Sequence, residues 1–157
     1  RTIQAMGEQI ARESNMQFLW PRLFFSYGPG QKSRTLIAHL VRSFKNGVAP
    51  EIQNKSGAND FVYVDDIAEA LVRILERSKE PSVIYNIGSG RLTSVAGVVR
   101  EVYKNFDVPA PRWCLKKTHP RGFYANISKV KKEIGWKPKT SITEGIKRTV
   151  NYYKKNG

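Results

Sequence analysis

The stretch Asn59 to Glu76, N-D-F-V-Y-V-D-D-I-A-E-A-L-V-R-I-L-E, changes its hydrophobic period in the middle, and the rest of the chain is read around it. Phe61, Val62, Tyr63 and Val64 are aromatic or β-branched and suit a pleated strand. From Ile67 the apolar positions are Ile67, Leu71, Ile74 and Leu75, the i, i+4, i+7, i+8 pattern of one helical face. Strand gives way to helix at Asp65 and Asp66, whose carboxylates are expected to accept from the first-turn N–H groups and to complement the helix dipole. The plain reading is a buried strand followed by a capped helix, and residues just before such a strand end often line a cleft.

The rest of the chain repeats that alternation. Ile3 to Arg12 reads as a helix with the stripe Ile3, Met6, Gly7, Ile10 and Ala11, and Asn15 ends it. Gln17 to Phe25 is strongly apolar and is expected to form a buried strand, with Pro21 marking a bulge or a strand end. The turn Ser26-Tyr27-Gly28-Pro29-Gly30-Gln31 follows. Ser33 is the expected cap of a helix over Leu36 to Phe44, closed by Asn46-Gly47. A short strand is expected at Glu51-Ile52-Gln53, another at Val83 to Ile87, and a helix from Ser94 to Phe106. Arg112 to Leu115 reads as a short strand, Ser128 as the cap of a short helix ending near Gly135, and Ser141 with Glu144 as a capping box for the last helix. Trp20, Trp113 and Trp136 are expected in the core. Alternating strand and helix make this an α/β protein.

Composition narrows the functions. The 157 residues are one domain's worth of chain, and 40% hydrophobic with 25% charged residues describes a globular protein. Lys+Arg 27 against Asp+Glu 13 gives +14, a field that favours anionic partners such as phosphates, nucleotides or nucleic acid. The basic residues are scattered, and no aromatic RNA-binding motif or recognition helix accompanies them, so nucleic acid is the least favoured of these. Cys114 is the single cysteine, which excludes an intrachain disulfide and a cysteine metal cluster and suggests a reducing compartment. No apolar run reaches the roughly 20 residues that span a bilayer, and the expected location is cytoplasmic. His39 reads as a helix-face residue and His119 as a surface one, with no carboxylate or serine partner at a recognisable spacing.

Four motifs occur in a fixed order: Arg22-x-x-x-x-Tyr27-Gly28-Pro29-Gly30, then Asp60-Phe61-Val62-Tyr63-Val64-Asp65-Asp66, then Tyr85-Asn86-Ile87-Gly88-Ser89-Gly90, then Ser128-Lys129 with Gly135-Trp136-Lys137-Pro138 and Glu144-Gly145-Ile146. Together they resemble the C-terminal half of the extended short-chain dehydrogenase/reductases, the NAD(P)-dependent nucleotide-sugar epimerases, dehydratases and reductases. The resemblance implies the C-terminal part of a Rossmann-like fold without the N-terminal dinucleotide-binding strands. In that frame residues 1–32 are the last part of the Rossmann core and residues 33–157 mostly a substrate-binding lobe.

The resemblance also assigns residues. Leu23, Phe24 and Ser26 would run beside the nicotinamide of NAD or NADP, and Phe25, Tyr27, Asn59 and Asn86 beside a nucleoside-diphosphate sugar. The family often has asparagine where Phe25 stands, and a diphosphate-holding arginine where Asn59 stands. Lys116, Lys117 and Arg121 lie where it places another phosphate-binding arginine; a solvated basic loop is the competing reading.

Two features of the family are missing. Gly88-Ser89-Gly90 lacks the third glycine of a dinucleotide fingerprint and comes late. The family's Y-x-x-x-K motif is commonly followed by a glutamate four residues after the lysine; if Glu8 is that glutamate, Gln4 takes the lysine position and the tyrosine would precede Arg1. The tyrosine works as a base only when a lysine and the cofactor lower its pKa, so catalysis by these residues alone is not expected. Three functions stay open: the substrate-binding part of such an oxidoreductase, a non-catalytic binding or interaction module, and a basic nucleic-acid binder. The resemblance implies a homodimer through the helices Ile3 to Arg12 and Ser33 to Phe44, and the expected alternative is pairing with a complementing N-terminal half.

Overall fold

The computed structural model describes residues 2–32, 34–116 and 121–156. Helix α1 (Thr2–Glu13) ends at Asn15, which takes the left-handed conformation at φ 51° while the Met16 N–H bonds back to Ala11 O at 2.9 Å. Only Ala11 of its apolar stripe is buried; Ile3, Met6 and Ile10 are exposed. Strand β1 (Phe18–Leu23) pairs in parallel with β5 (Ser82–Ile87), and β2 (Phe25–Tyr27) pairs in parallel with β4 (Phe61–Tyr63).

The expected single strand is therefore two. Phe24 donates to Ile87 O at 2.9 Å and Phe25 to Asp60 O at 3.0 Å, so the chain changes partner strand within one residue. Nor is β1 buried as expected: its other edge is unpaired among the described residues, and Arg22 and Leu23 are exposed. That open edge also accounts for Pro21, which sits in mid-strand opposite Tyr85 with no bulge. Phe18 and Phe24 both donate toward the β5 side, so the N–H groups of even residues point that way, and the missing donor of Pro21 falls on the open side.

Strand β4 is fully buried because it lies between two apolar cores. Phe61 and Tyr63 join Tyr27, Leu40, Val98, Val99, Ile146 and Val150 on one face. Val62 joins Ile67, Ile74, Tyr85, Ile87 and Trp136 on the other. The period-two alternation of a strand divides its side chains between the two layers. Val64 is already helical: α3 (Val64–Arg77) starts one residue earlier than its sequence suggests, Ile67 and Ile74 turn inward, and Leu75 is exposed.

The first core is closed by α2 (Leu36–Lys45), α4 (Val95–Lys104) and α6 (Ile142–Asn156), the second by α3 and α5 (Ser128–Ile134). A short antiparallel pair, β3 (Ala58–Asn59) with β6 (Thr93–Ser94), stands beside them. Ser94 caps α4 by accepting from Gly97 N–H at 3.0 Å. Gly135 ends α5 at φ 69°, the left-handed position that glycine fills without strain.

Several expectations are corrected. Glu51 to Gln53 is not a strand; Ile52 instead packs against the first core. Arg112–Leu115 is a 3₁₀ turn that buries Cys114, because Pro111 sets a φ of −55° and its carbonyl accepts from Cys114 N–H at 2.8 Å. Ser128 does not cap α5 but is its first residue, after the N-cap Ile127, and its N–H donates to Asn126 Oδ1 at 3.0 Å. The box at α6 is half formed: Ser141 Oγ accepts from Glu144 N–H, while the Glu144 carboxylate turns to Arg148 at 2.8 Å. Trp136 is a core residue, whereas Trp20 and Trp113 are only partly buried. Ser33 lies outside the described residues, and Thr35 precedes α2 without a side-chain cap.

Candidate functional site

The partner change at Phe24 and Phe25 creates a problem of hydrogen bonding, and its solution builds the site. Ile87 and Asp60 are brought side by side, and beyond Ile87 the chain turns away with free N–H groups. The Asp60 side chain, fully buried, accepts from Ser89 N–H at 2.5 Å, Ser89 Oγ at 2.6 Å, Gly90 N–H at 2.9 Å and Ala125 N–H at 2.8 Å. A buried carboxyl group is tolerated where its oxygens are hydrogen-bonded, as here. Gly88 is required beside it, since a Cβ there would come within 2.7 Å of Asp60 Oδ2. One carboxylate thereby fastens the end of β5 and the segment before α5 to the strand that carries Asn59.

Asp66 works similarly and not as a cap. It accepts from Lys139 N–H at 3.2 Å and Thr140 N–H at 3.0 Å, while Trp136 Nε1–H donates to its backbone oxygen at 3.0 Å. This seats the start of α6 against Tyr27. Burial, with Asp66 nearby, holds the Tyr27 phenol well above its ordinary pKa, so it stays protonated and donates to Ser141 O at 3.4 Å.

Along β2 and the turn after it opens a cleft of about 810 Å³. Phe25, Ser26, Tyr27 and Asn59 line it on the strand side, Arg34, Thr35 and His39 on the side of α2, and Glu51 to Asn54 complete the wall. A second space of about 530 Å³ shares Phe25, Ser26 and Asn59 and extends to Leu23, Phe24 and Phe123. Six of the ten residues singled out in the sequence, Leu23, Phe24, Phe25, Ser26, Tyr27 and Asn59, thus line one or both of these two adjoining spaces.

The other four do not line it. Asn86 is turned toward the chain before α5, its Nδ2 donating to Asn126 O at 3.4 Å. Lys116 is exposed past the 3₁₀ turn, and Arg121 bridges Gly57 one residue before the lining residue Gly122. Lys117, like His119, lies outside the described residues. Sequence reasoning missed Asp60 as a clamp, Arg34 as a cation on the cleft, and Phe123. Arg34 follows the Gly-Pro turn by four residues, a signal that was available; the others depend on contacts between distant segments. His39 is a helix-face residue as read, with its ring nitrogen 3.2 Å from Glu51 O, and it also faces the cleft.

Gln4, at the position the resemblance gives to a catalytic lysine, is neutral and engaged: its Nε2 donates to Glu8 Oε1 at 2.9 Å, and Arg22 donates to its Oε1 at 3.0 Å. Burial raises the Cys114 thiol above its ordinary value, which suits a core residue and not a nucleophile. Among the described residues no group of His, Cys, Asp and Glu is arranged to hold a metal ion, and no helix is long and apolar enough to cross a membrane.

Parallel strands joined through helices, with a cleft where the chain changes partner strand, define a Rossmann-like α/β protein. Residues 1–88 match the model of the NAD dependent epimerase/dehydratase family, and the chain belongs to that family. It is 30% identical over 132 residues to dTDP-L-rhamnose 4-epimerase of Burkholderia thailandensis, covering 80% of this chain and 36% of that one. The fold matches a UDP-glucose 4-epimerase of Thermotoga maritima solved with UDP-glucose, at TM-score 0.83 and 26% identity, over 98% of this chain and 51% of that one. It also matches a dTDP-glucose 4,6-dehydratase of Bacillus anthracis solved with NAD, at TM-score 0.83 and 22% identity, over 97% and 49%. The chain spans less than half the length of the curated relatives it matches.

Proposed function

We propose that these residues form the nucleotide-sugar-binding part of an NAD(P)-dependent epimerase, dehydratase or reductase. The observation that carries this reading is the cleft itself, which opens at the end of a strand and combines apolar Phe25, Ile37, Phe61 and Val95 with the Arg34 cation and with hydrogen-bonding side chains such as Gln53, Asn54 and Asn59. Phe25, Tyr27 and Asn59 would contact the sugar nucleotide, with Arg34 and Arg121 nearest to supply charge to its diphosphate. Asn86 would act through Asn126, by holding the start of α5, and Lys116 and Lys117 by their charge in the adjoining loop.

Leu23 and Phe24 offer an apolar edge that fits one face of a nicotinamide ring, and Ser26 a hydroxyl beside it. Such a cofactor accepts a hydride from the sugar and can return it. No Gly-rich turn for its pyrophosphate is among these residues, and no tyrosine in the sequence is followed four positions later by lysine. The reading therefore assigns substrate binding here and not proton transfer. In it, residues 1–32 are the last part of the Rossmann core, extended by β4 and β5, and the remainder of 33–157 is mostly substrate lobe. The exposed stripe of α1 fits association, with a second copy or with a complementing N-terminal half.

Calorimetric titration of the 157-residue chain with UDP, dTDP, GDP and CDP, and separately with NAD and NADP, tests the reading. Saturable binding of at least one nucleoside diphosphate, tighter than either dinucleotide, is the expected result. Binding of none of the four would remove it and leave a protein-interaction module, the reading favoured by the uncovered helix.

A further inference from the structure

We propose, resting on the reading above, that Tyr153 in the last turns of α6 is a positioning residue for the cleft: its hydroxyl holds the backbone of Gln31 and thereby sets where Arg34 stands at the rim. Tyr153 Oη donates to Gln31 O at 2.9 Å, across a separation of 122 positions. Gln31, Arg34 and Thr35 line the cleft, and Tyr153 does not, so it acts through the segment it holds.

That segment needs an anchor. Between β2 and α2 the described residues carry no strand or helix, and the chain passes through Gly30 in the left-handed region at φ 76°. A Cβ on Gly30 would meet nothing within 4 Å, so packing does not fix the backbone there. Hydrogen bonds fix it instead, and they converge on Gln31. Its Nε2 donates to Ser26 O at 2.7 Å, and its Oε1 accepts from Thr35 Oγ1 at 3.1 Å. Both are local, reaching five and four positions along the chain. The bond from Tyr153 alone among these joins the segment to a helix of the first core.

Tyr153 is placed to bear this role. Its ring packs partly buried against the first core, Lys45 Nζ donates to its carbonyl at 3.1 Å, and the Tyr152 ring meets it edge-on with centroids 5.4 Å apart. Burial raises its phenol above the ordinary value, so at neutral pH the hydroxyl keeps its proton and donates to a carbonyl that can only accept. A guanidinium grips a phosphate only when its N–H groups reach the oxygens at hydrogen-bond distance and angle. A small shift of the rim therefore weakens an anionic ligand without removing any group that touches it.

Tyr153→Phe keeps the ring and removes the hydroxyl. The 157-residue chain, Y153F, R34A and the double variant are titrated calorimetrically with UDP, dTDP, GDP and CDP at low and high salt. Y153F is expected to bind the preferred nucleoside diphosphate about three- to tenfold more weakly, the worth of one hydrogen bond, and with less sensitivity to salt. In the double variant the loss is expected to equal that of R34A alone, since the two residues act as one unit. A tyrosine that only steadied α6 would lower the thermal midpoint of Y153F and leave the affinity where it was. Q31A, which cuts the ties to Ser26 and Thr35, is the second variant should Y153F not fold; it too is expected to weaken binding, and no change in it overturns the inference. Unaltered affinity in Y153F overturns the inference and leaves the proposed function standing. Losses that add in the double variant overturn the route through Arg34. If no nucleoside diphosphate binds the unsubstituted chain, both fall.

Discussion

Asp60 gives the largest consequence for the smallest change. Its carboxylate satisfies three backbone N–H groups and one hydroxyl, and an alanine there would leave those amides buried without acceptors. At about 1–3 kcal/mol for each orphaned group, offset by relaxation, Asp60→Ala is expected to cost about 3–5 kcal/mol, read as a lowered urea midpoint. Asp60→Asn, which keeps one acceptor oxygen, should lose less. The residue was invisible as a clamp in the sequence because its partners stand 29, 30 and 65 positions away, and no local period reports such a contact. Asp66 was visible but misread: a carboxylate in a first turn looks like a cap, while its acceptors are filled by a segment more than 70 positions later. Tyrosines give a pH dependence at the same scale. Burial raises the phenols of Tyr27, Tyr63, Tyr85, Tyr103 and Tyr153, so the native state holds these protons more tightly than the unfolded chain. Their contribution is complete below the unfolded value near pH 10 and is lost as pH rises through the native values. Thermal midpoints measured from pH 8 to 11.5 should fall above about pH 10, and less steeply in Tyr27→Phe.

Elements with a clear start and stop were legible. The helix after Ser94, the left-handed stop at Gly135 and the stripe Ile146 with Val150 follow from capping and period alone. The division of Gln17–Phe25 into two strands was not, because partner exchange is decided by where β4 and β5 lie and not by the residues that exchange. Four-residue pieces such as Arg112–Leu115 are too short for period to decide between strand and turn, and Pro111 decides it locally. Helix α1 shows the limit in the other direction: its stripe was read correctly, yet a stripe reports an apolar face and not what covers it. Within this chain the helix is held by Ala11 and by a close approach at Gly7, where any Cβ would overlap the Phe18 ring, while Ile3, Met6 and Ile10 face outward. The double substitution Met6→Glu, Ile10→Glu should therefore shift light-scattering mass toward monomer at micromolar concentration and leave the thermal midpoint of the monomer nearly unchanged. A strictly monomeric unsubstituted chain would remove this face from any self-association.

Over the whole molecule the charge is unevenly placed. Residues 89–157 hold 16 of the 27 Lys and Arg but only 4 of the 13 Asp and Glu, a net +12 out of +14. The family match covers residues 1–88, so nearly all the excess charge falls in the part beyond it, including the loop segment that carries Arg121 and Phe123. Composition alone gave the sign of the partner but not its class, because a basic surface attracts a nucleotide and a nucleic acid alike. Salt dependence separates them by the number of charges engaged. On the proposed reading a nucleoside diphosphate would bring its charge to one cleft, which Arg34 lines, so raising salt from about 50 to 500 mM, which shortens the screening length from roughly 14 to 4 Å, should weaken its binding by about three- to tenfold. A polyanion that laid many phosphates on the basic surface would lose several orders of magnitude over the same range. Random-sequence DNA is accordingly expected to leave the nucleotide isotherm unchanged at about 150 mM salt, where exposed charges act over roughly 8 Å. Competition by DNA at that concentration would assign the +12 to nucleic acid and turn the cleft into a secondary feature of a basic surface.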